Sequence, residues 1–467
     1  MFPYRSASSV LFDLHRGRVH AATLMEETLE HIENVNPIVN AIVGLRDRTS
    51  LIAEARHADK SGPQGALHGL PVAVKDLVNV AGVTSTQGSS LFRDFVPDHD
   101  DVLAARLRAA GAILIGKTNT PEFGLGSHTF NSVYGVTRNP YNLELSCGGS
   151  SGGAAVALAT GMLSLADGSD MMGSLRNPAG WNNVYGFRPS WGLIPNQPKA
   201  DSFLHQLSTL GAMARSPQDI AILLKELVYS DPYQPHCLHD VNVTLIDDIS
   251  LDGLRLAWLG NWNEAFPMEE GILSVCEHSI SVLQEAGAII ETPVPPFDAE
   301  RLFQSWITLR SWQIVADLGS PEIKVGALKD TAIWEIEKGR ALSALDVHYA
   351  SCVRSEWFRT VSMMLDTYDA FLLPTAQVWP FSTDIEYPVE IAGVAMDTYH
   401  RWMHVMVPAS LAGLPVLAMP AGFSRAGLPI GLQLIGRRGF DARLLSIGVA
   451  YDAITGWVTT RPPLQNR

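Results

Sequence analysis

Gly148-Gly-Ser-Ser-Gly-Gly153 and, shortly after it, Gly168-Ser-Asp-Met-Met-Gly-Ser-Leu-Arg176 are the two segments that decide how this chain is read. The first run permits close backbone approach and dihedral angles closed to residues with side chains. The second places Ser174 directly after flexible Gly173, where consecutive N–H groups can point at one oxygen. A serine beside such donors is what acyl transfer needs, a nucleophile plus an oxyanion hole. Each run taken alone reads equally well as a tight turn. The apolar run Gly69–Val74 changes the balance, because it reads as a strand with Lys75 at its carboxyl end. Desolvation of a lysine emerging from Val72-Ala-Val74 disfavours its charged form and makes it a usable base.

Two other motifs compete and fail on context. Gly111-Ala-Ile-Leu-Ile-Gly116-Lys117-Thr118 fits G-x-x-x-x-G-K-[ST], the phosphate-binding loop. Here the intervening residues are themselves an apolar strand, and Asn119-Thr120-Pro121 discourages the helix that should follow. Such a strand cannot present a nest of N–H groups to phosphate. Gly148–Gly152 also satisfies G-x-S-x-G, the nucleophile elbow, which requires a hydrophobic strand running into the serine. The preceding residues 138–147 are polar and loop-like.

Outward from these segments, strand-like and helix-like runs alternate, which predicts an α/β architecture. Residues 21–34 read as an amphipathic helix stopped at Asn36-Pro37. Asp100 and Asp101 are placed to cap a helix that Gly111 ends, and Ser151 to Thr160 reads as a helix opened by small residues and closed by Gly161. Ser216-Pro217 starts another helix, followed by a strand at Leu254–Leu259, a helix over about 269–286 and a strand at Ile289–Ile290. Trp258, Trp262, Trp306, Trp312 and Trp334 read as core, the functional alternative being walls of an apolar pocket.

Composition removes several classes. The 467 residues carry 34 Lys plus Arg against 48 Asp plus Glu, a formal net charge of −14, so a nucleic-acid partner is not expected. Charged residues make up 18% and hydrophobic ones 46%, which predicts a large buried core. No apolar run is long enough for a transmembrane helix, and the amino terminus lacks a secretory cleavage pattern. Cys147, Cys237, Cys276 and Cys352 form no C-x-x-C pair, so neither a metal nor an oxidising compartment is expected. The expectation is a cytoplasmic protein that needs no cofactor and no membrane.

Ordered segments along nearly the whole chain then resemble one family. They are Val35–Ala41, Leu70–Asp76, Gly116–Phe123, Tyr134–Pro140, Gly148–Gly153, Pro178-Ala179, Gly186–Pro189, Leu210–Arg215, Ala412–Pro415 and Gly427–Leu434. Together they look like the amidase signature family, hydrolases built on a Ser–cis-Ser–Lys triad. The resemblance implies an α/β amidase signature fold, a large mixed central β-sheet flanked by helices on both faces. It implies a single domain over residues 1–467, with a catalytic core at about 60–225 and a more variable, substrate-shaping region at about 230–345. Lys75 matches the family lysine, Ser150 the serine whose peptide bond is cis, and Ser174 the nucleophile. The backbone of Met171, Met172, Gly173 and Ser174 matches the oxyanion hole, and Ser169, Asp170 and Arg176 match the supporting loop. Gly124, Leu125 and Gly149 lie where substrate is expected to pass.

The departures are specific. Met172 stands where glycine is usual and either strains the oxyanion loop or narrows the acyl pocket. Cys147 replaces a proline and Arg188 a lysine. The family hydrolyses aliphatic amides, anilides, fatty acid and peptide amides and carbamates, and includes the amidase subunit of a glutamine amidotransferase. That subunit carries an acidic residue ahead of the Ala-Gly-Leu-Pro segment; Met403–Pro415 here contains none. The tryptophans with Met171, Met172 and Leu125 point instead to a small amide with an apolar or aromatic group, with anilides, carbamates and esters in range. Two alternatives stand beside it, a catalytically silent scaffold in which Met172 closes the oxyanion hole, and the amidotransferase subunit. The oligomeric state is open, a homodimer included.

Overall fold

The strands Val416–Phe423 and Pro429–Gly436 form a hairpin whose residues are buried except at Phe423, as continuous apolar runs at a sheet centre should be. In this computed structural model, which describes residues 2–196, 201–320, 323 and 325–466, that hairpin sits within an eight-stranded sheet. The spatial order is Ile289–Glu291, Arg255–Trp258, Ala370–Pro374, Pro429–Gly436, Val416–Phe423, Tyr185–Arg188, Thr209–Ala214 and Leu165–Asp170. The first three strands run parallel and the remaining pairings are antiparallel, so the sheet is mixed as expected. Leu165–Asp170 ends this sheet and delivers the Ser174 turn.

A smaller sheet supplies the lysine. Pro71–Lys75 pairs in parallel with Ile113–Thr118, which pairs antiparallel with Ile42–Val43. Residues Ile113–Thr118 of that motif are thus strand, which disposes of the phosphate-loop reading. Ser150 follows the strand Asn142–Ser146 of a two-stranded ribbon, and an elbow would need a strand of the main sheet.

Two local expectations are corrected. The helix Ala21–Val39 runs through Pro37 and ends only at Asn40, which adopts a left-handed φ of 53°. Pro37 falls in the last turn, where a missing N–H costs one bond, and Asn40 N–H closes the helix on the Asn36 carbonyl at 2.7 Å. Asp100 and Asp101 precede the helix Val102–Ala109, yet Asp101 makes no capping bond from its side chain. Their carboxylates accept from Ala81 N and Asn79 N, both at 2.7 Å, and so hold the loop after Lys75. Ser216 caps Pro217–Leu227 as expected, and the strand, helix and strand near 254–291 appear at Arg255–Trp258, Ile272–Glu285 and Ile289–Glu291. Trp258, Trp262 and Trp306 are buried in the main core, with Trp312 and Trp334 packed at its edge. No helix among the described residues is long and apolar enough to cross a membrane.

The helix Gly152–Ala159 joins the two sheets because its glycines let backbones touch. A Cβ on Gly153 would lie 2.3 Å from Asn119 N and 2.6 Å from Ala41 O, both main-chain atoms of the lysine sheet's margin. Backbone cannot swing aside as a side chain can. Gly153→Ala is therefore expected to cost about 2 kcal/mol or more, read as a lowered denaturation midpoint; an unchanged midpoint would contradict this packing.

Candidate active site

Lys75 is delivered by strand pairing and then held from behind. Its main-chain N–H donates to Asp167 Oδ1 at 2.9 Å. Its Nζ is 2.8 Å from Ser150 Oγ, 2.9 Å from Ser151 Oγ and 3.1 Å from Ser169 Oγ. The Gly149–Ser150 peptide is cis. Burial pushes the ammonium down to about 7, against the opposing pull of Asp167 and Asp170. Desolvation wins here because all three hydrogen-bonding neighbours are neutral hydroxyls. Burial also raises the Asp167 carboxyl to about 6, although the Lys75 N–H and the two lysines Lys75 and Lys117 work to lower it. A lysine that sheds its charge near neutrality, in contact with a serine hydroxyl, can accept that hydroxyl's proton.

Asp170 organises the turn that follows. Its carboxylate accepts from Gly173 N at 2.8 Å, Leu175 N at 3.1 Å, and Arg176 Nε and Nη2, both at 2.9 Å. Arg188 adds an ion pair at 3.2 Å and bonds the Asp170 carbonyl. Burial favours the protonated acid, but Arg176 and Arg188 outweigh it and hold the carboxyl well below its usual range. Arg176 is fully buried and reaches Met406 O, Gln433 Oε1 and Ser410 Oγ.

Lys75, Ser150, Ser169 and Ser174 line one cavity of about 530 Å³. Among the described residues the Ser174 hydroxyl makes no hydrogen bond, while its carbonyl accepts from Ser151 N at 3.1 Å. Gly173 has φ +85°, and a Cβ there would lie 2.6 Å from Met406 Cγ. Its N–H belongs to Asp170, so Gly173 is not the free oxyanion donor expected of it. The N–H groups of Met171, Met172 and Ser174 have no acceptor among the described residues. Met172 does not share the positive φ of Gly173, so the loop-strain alternative does not apply. Nor does Met172 narrow the pocket: it is buried in the core, and Met171 takes the place at the cavity wall.

The Amidase family profile matches residues 23–445. The chain belongs to the amidase family. Amidases are hydrolases of C–N bonds, and the amidase signature fold accounts for the mixed sheet described above. The chain is 33% identical to a glutamyl-tRNA(Gln) amidotransferase subunit of Roseiflexus sp. strain RS-1, over 97% of this chain and 96% of that one. It is 30% identical to an acylamidase of Rhodococcus erythropolis, over 98% and 97%. The crystal structure of a bacterial aryl acylamidase of the amidase signature family superposes with a TM-score of 0.90 at 25% identity, covering 98% of both chains.

Of the expected substrate-facing residues in this amidase, Gly124 and Leu125 line the cavity. Gly149 does not; its N–H turns to Asn177 Oδ1 at 3.3 Å. None of the five tryptophans of residues 230–345 lines the cavity, whereas Trp191 does. Burial pushes the Cys147 thiol up to about 12, which removes any thiolate character. Sequence reasoning overlooked Ser151 and Asp167, which together with Ser169 surround Lys75. The doubled serine was the available sign for Ser151; Asp167 lies in the mixed strand Leu165–Asp170, whose sequence carries no comparable sign.

Replacing Asp170 by Asn leaves two buried guanidinium groups without their shared anion. Urea unfolding of Asp170→Asn is expected to show a loss of about 3–5 kcal/mol, and a loss below about 1 kcal/mol would mean that the turn is held by something else.

Proposed function

We propose that this amidase cleaves small amides carrying an apolar or aromatic group, through a Ser174 acyl-enzyme activated by Ser150 and Lys75. The observation that carries the proposal is the 2.8 Å contact of Lys75 Nζ with Ser150 Oγ, made by a lysine with its pKa lowered to about 7 in the cavity Ser174 lines. Neutral Lys75 takes the Ser150 proton as Ser150 takes that of Ser174. The Ser174 oxygen then attacks the substrate carbonyl. The oxyanion rests on the turn Met171–Ser174, chiefly on the N–H groups of Met171, Met172 and Ser174, since Gly173 is committed to Asp170. The C–N bond breaks as the amine leaves with a proton returned through Ser150, and water hydrolyses the ester to free Ser174. Ser151 and Ser169 would hold Lys75 on line, and Asp170 with Arg176 would hold the turn. Leu77, Phe123, Leu125, Met171, Ile194 and Ile314 along the cavity support an apolar or aromatic substrate, anilides above all, with esters and carbamates of similar shape within reach.

The identity to amidotransferase subunits favours a second reading, glutamine hydrolysis within a larger assembly. Met403 and the segment after it supply no acid for an α-ammonium group, which weighs against it.

Lys75→Ala is expected to lower kcat/KM by about 10²–10⁴-fold, and survival near the parental rate would sink the mechanism. Because the deprotonated amine is the active form, kcat/KM should rise as pH passes about 7 and stay high on the alkaline side. A fluorophosphonate should label Ser174, as peptide mapping would reveal; a label on Ser150 would reverse the roles. Acetanilide should be turned over faster than acetamide, and glutamine slower than either; the opposite order would favour the amidotransferase reading.

A further inference from the structure

The cavity is lined by polar as well as apolar side chains. On the helix Ala299–Leu318, Arg310 and Gln313 stand one turn apart, a spacing that puts both on one face, and both line the cavity with Met171 and Ser174. Arg310 is nearly fully buried, 5% exposed. Its Nε is taken by Glu335 Oε1 at 2.6 Å and His400 Nε2 at 3.1 Å, and its Nη2 meets Tyr399 Oη at 3.2 Å. Its Nη1 has a single contact among the described residues, the thioether sulfur of Met171 at 3.0 Å. Thioether sulfur is a weak acceptor, so two strong N–H donors of a buried guanidinium lack a proper partner. Gln313 presents the complementary deficit: its Oε1 is buried and has no hydrogen-bond partner. Buried polar groups in folded proteins are normally paired with protein, water or a ligand, and Arg310 and Gln313 both line the cavity, where a ligand can supply the partner.

We infer that Arg310 and Gln313 bind a second amide group of the substrate, distinct from the one that is cleaved. The carbonyl oxygen of that group accepts from Arg310 Nη1, and its N–H donates to Gln313 Oε1. The Arg310–Glu335 pair carries no net charge, so a neutral carbonyl matches it better than a carboxylate, which would bring an unbalanced charge into the cavity. This inference rests on the proposed amidase reading of Ser174 and narrows its substrate class to small bis-amides with apolar flanks. Met171 belongs both to the turn before Ser174 and to the Arg310 contact, which keeps the second group close to the cleaved one.

Matched anilides test it. N-acetylglycine anilide carries the second amide, pentananilide replaces it by methylenes, and acetoxyacetanilide keeps its carbonyl without the N–H. The same exchange is made on the amine side in a parallel pair of amides. The enzyme is expected to prefer the bis-amide of one pair over its alkyl isostere by at least about tenfold in kcat/KM. The ester analogue should fall between them. Gln313→Leu should erase the gap between bis-amide and ester, leaving the Arg310–Glu335 pair intact. Arg310→Met should erase the gap between ester and alkyl chain; since it strips Glu335 of its partner, Arg310→Met/Glu335→Gln is measured beside it, with thermal melts of all variants. A preference below twofold in both parental pairs, or one that survives in folded Gln313→Leu and folded Arg310→Met/Glu335→Gln, overturns the inference. If no anilide or amide is turned over and Ser174 takes no label, the amidase reading of Ser174 has failed instead.

Discussion

A buried carboxylate, that of Asp170, is the constraint around which the rest of the structure is arranged. It sits at the last position of an edge strand and collects two backbone N–H groups and two guanidinium groups. The N–H bonds shape the turn that ends at Ser174. The Arg176 bonds carry the same constraint onward to Met406 and Ser410, and to Gln433 on a central strand. One acid thereby ties the edge of the main sheet, the serine turn and the carboxyl-terminal third of the chain together. Such a charge is tolerable in a dry interior only because every partner is present.

Lys75 is the opposite electrostatic case. Its neighbours are hydroxyls, and the nearest carboxylates face its backbone or lie one residue beyond them. Burial therefore outweighs Coulomb attraction, and the amine becomes a base near neutrality. Asp167 is raised by the same desolvation, with only one of its oxygens satisfied. The Asp170–Arg pairs and the Lys75–serine cluster adjoin the same edge strand, and they reach opposite protonation behaviour through the partners each has, since both are equally buried.

Met172 shows how a departure from a family pattern is absorbed. The position needing left-handed backbone is Gly173, one residue later, where the Met406 side chain leaves no room for a Cβ. Met172 lies on ordinary backbone and buries its side chain in the core, so its bulk falls on the far side of the turn from the cavity. The tryptophans behave similarly. Hydropathy marks them as buried but cannot say whether they are buried in a core or against a ligand, and here Trp258, Trp262 and Trp306 are core while Trp312 and Trp334 pack at its edge. The cavity wall, expected to be apolar, carries Arg310 and Gln313 on a helix with mixed composition all round.

The sequence by itself determined the elements with local causes. Apolar continuity made Pro71–Lys75 and Ile113–Thr118 strands, Ser216-Pro217 began a helix, and the glycine and serine runs marked where backbones approach and where the turn before Ser174 lies. The ordered resemblance added the pairing of Lys75 with Ser150 and the cis peptide before Ser150. Tertiary structure alone decided which atoms complete those contacts. Ser151 and Asp167 reach Lys75 from about 76 and 92 residues away, and Arg310 reaches Met171 across 139. Periodicity and capping act between neighbours in the chain, within a turn or a pleat. Contacts across such separations are set by sheet order and register, which no single segment encodes. Gly173 makes the point at atomic scale: its place in the turn was legible, but whether its N–H faces a substrate or Asp170 depends on a carboxylate fixed by Arg176 and Arg188.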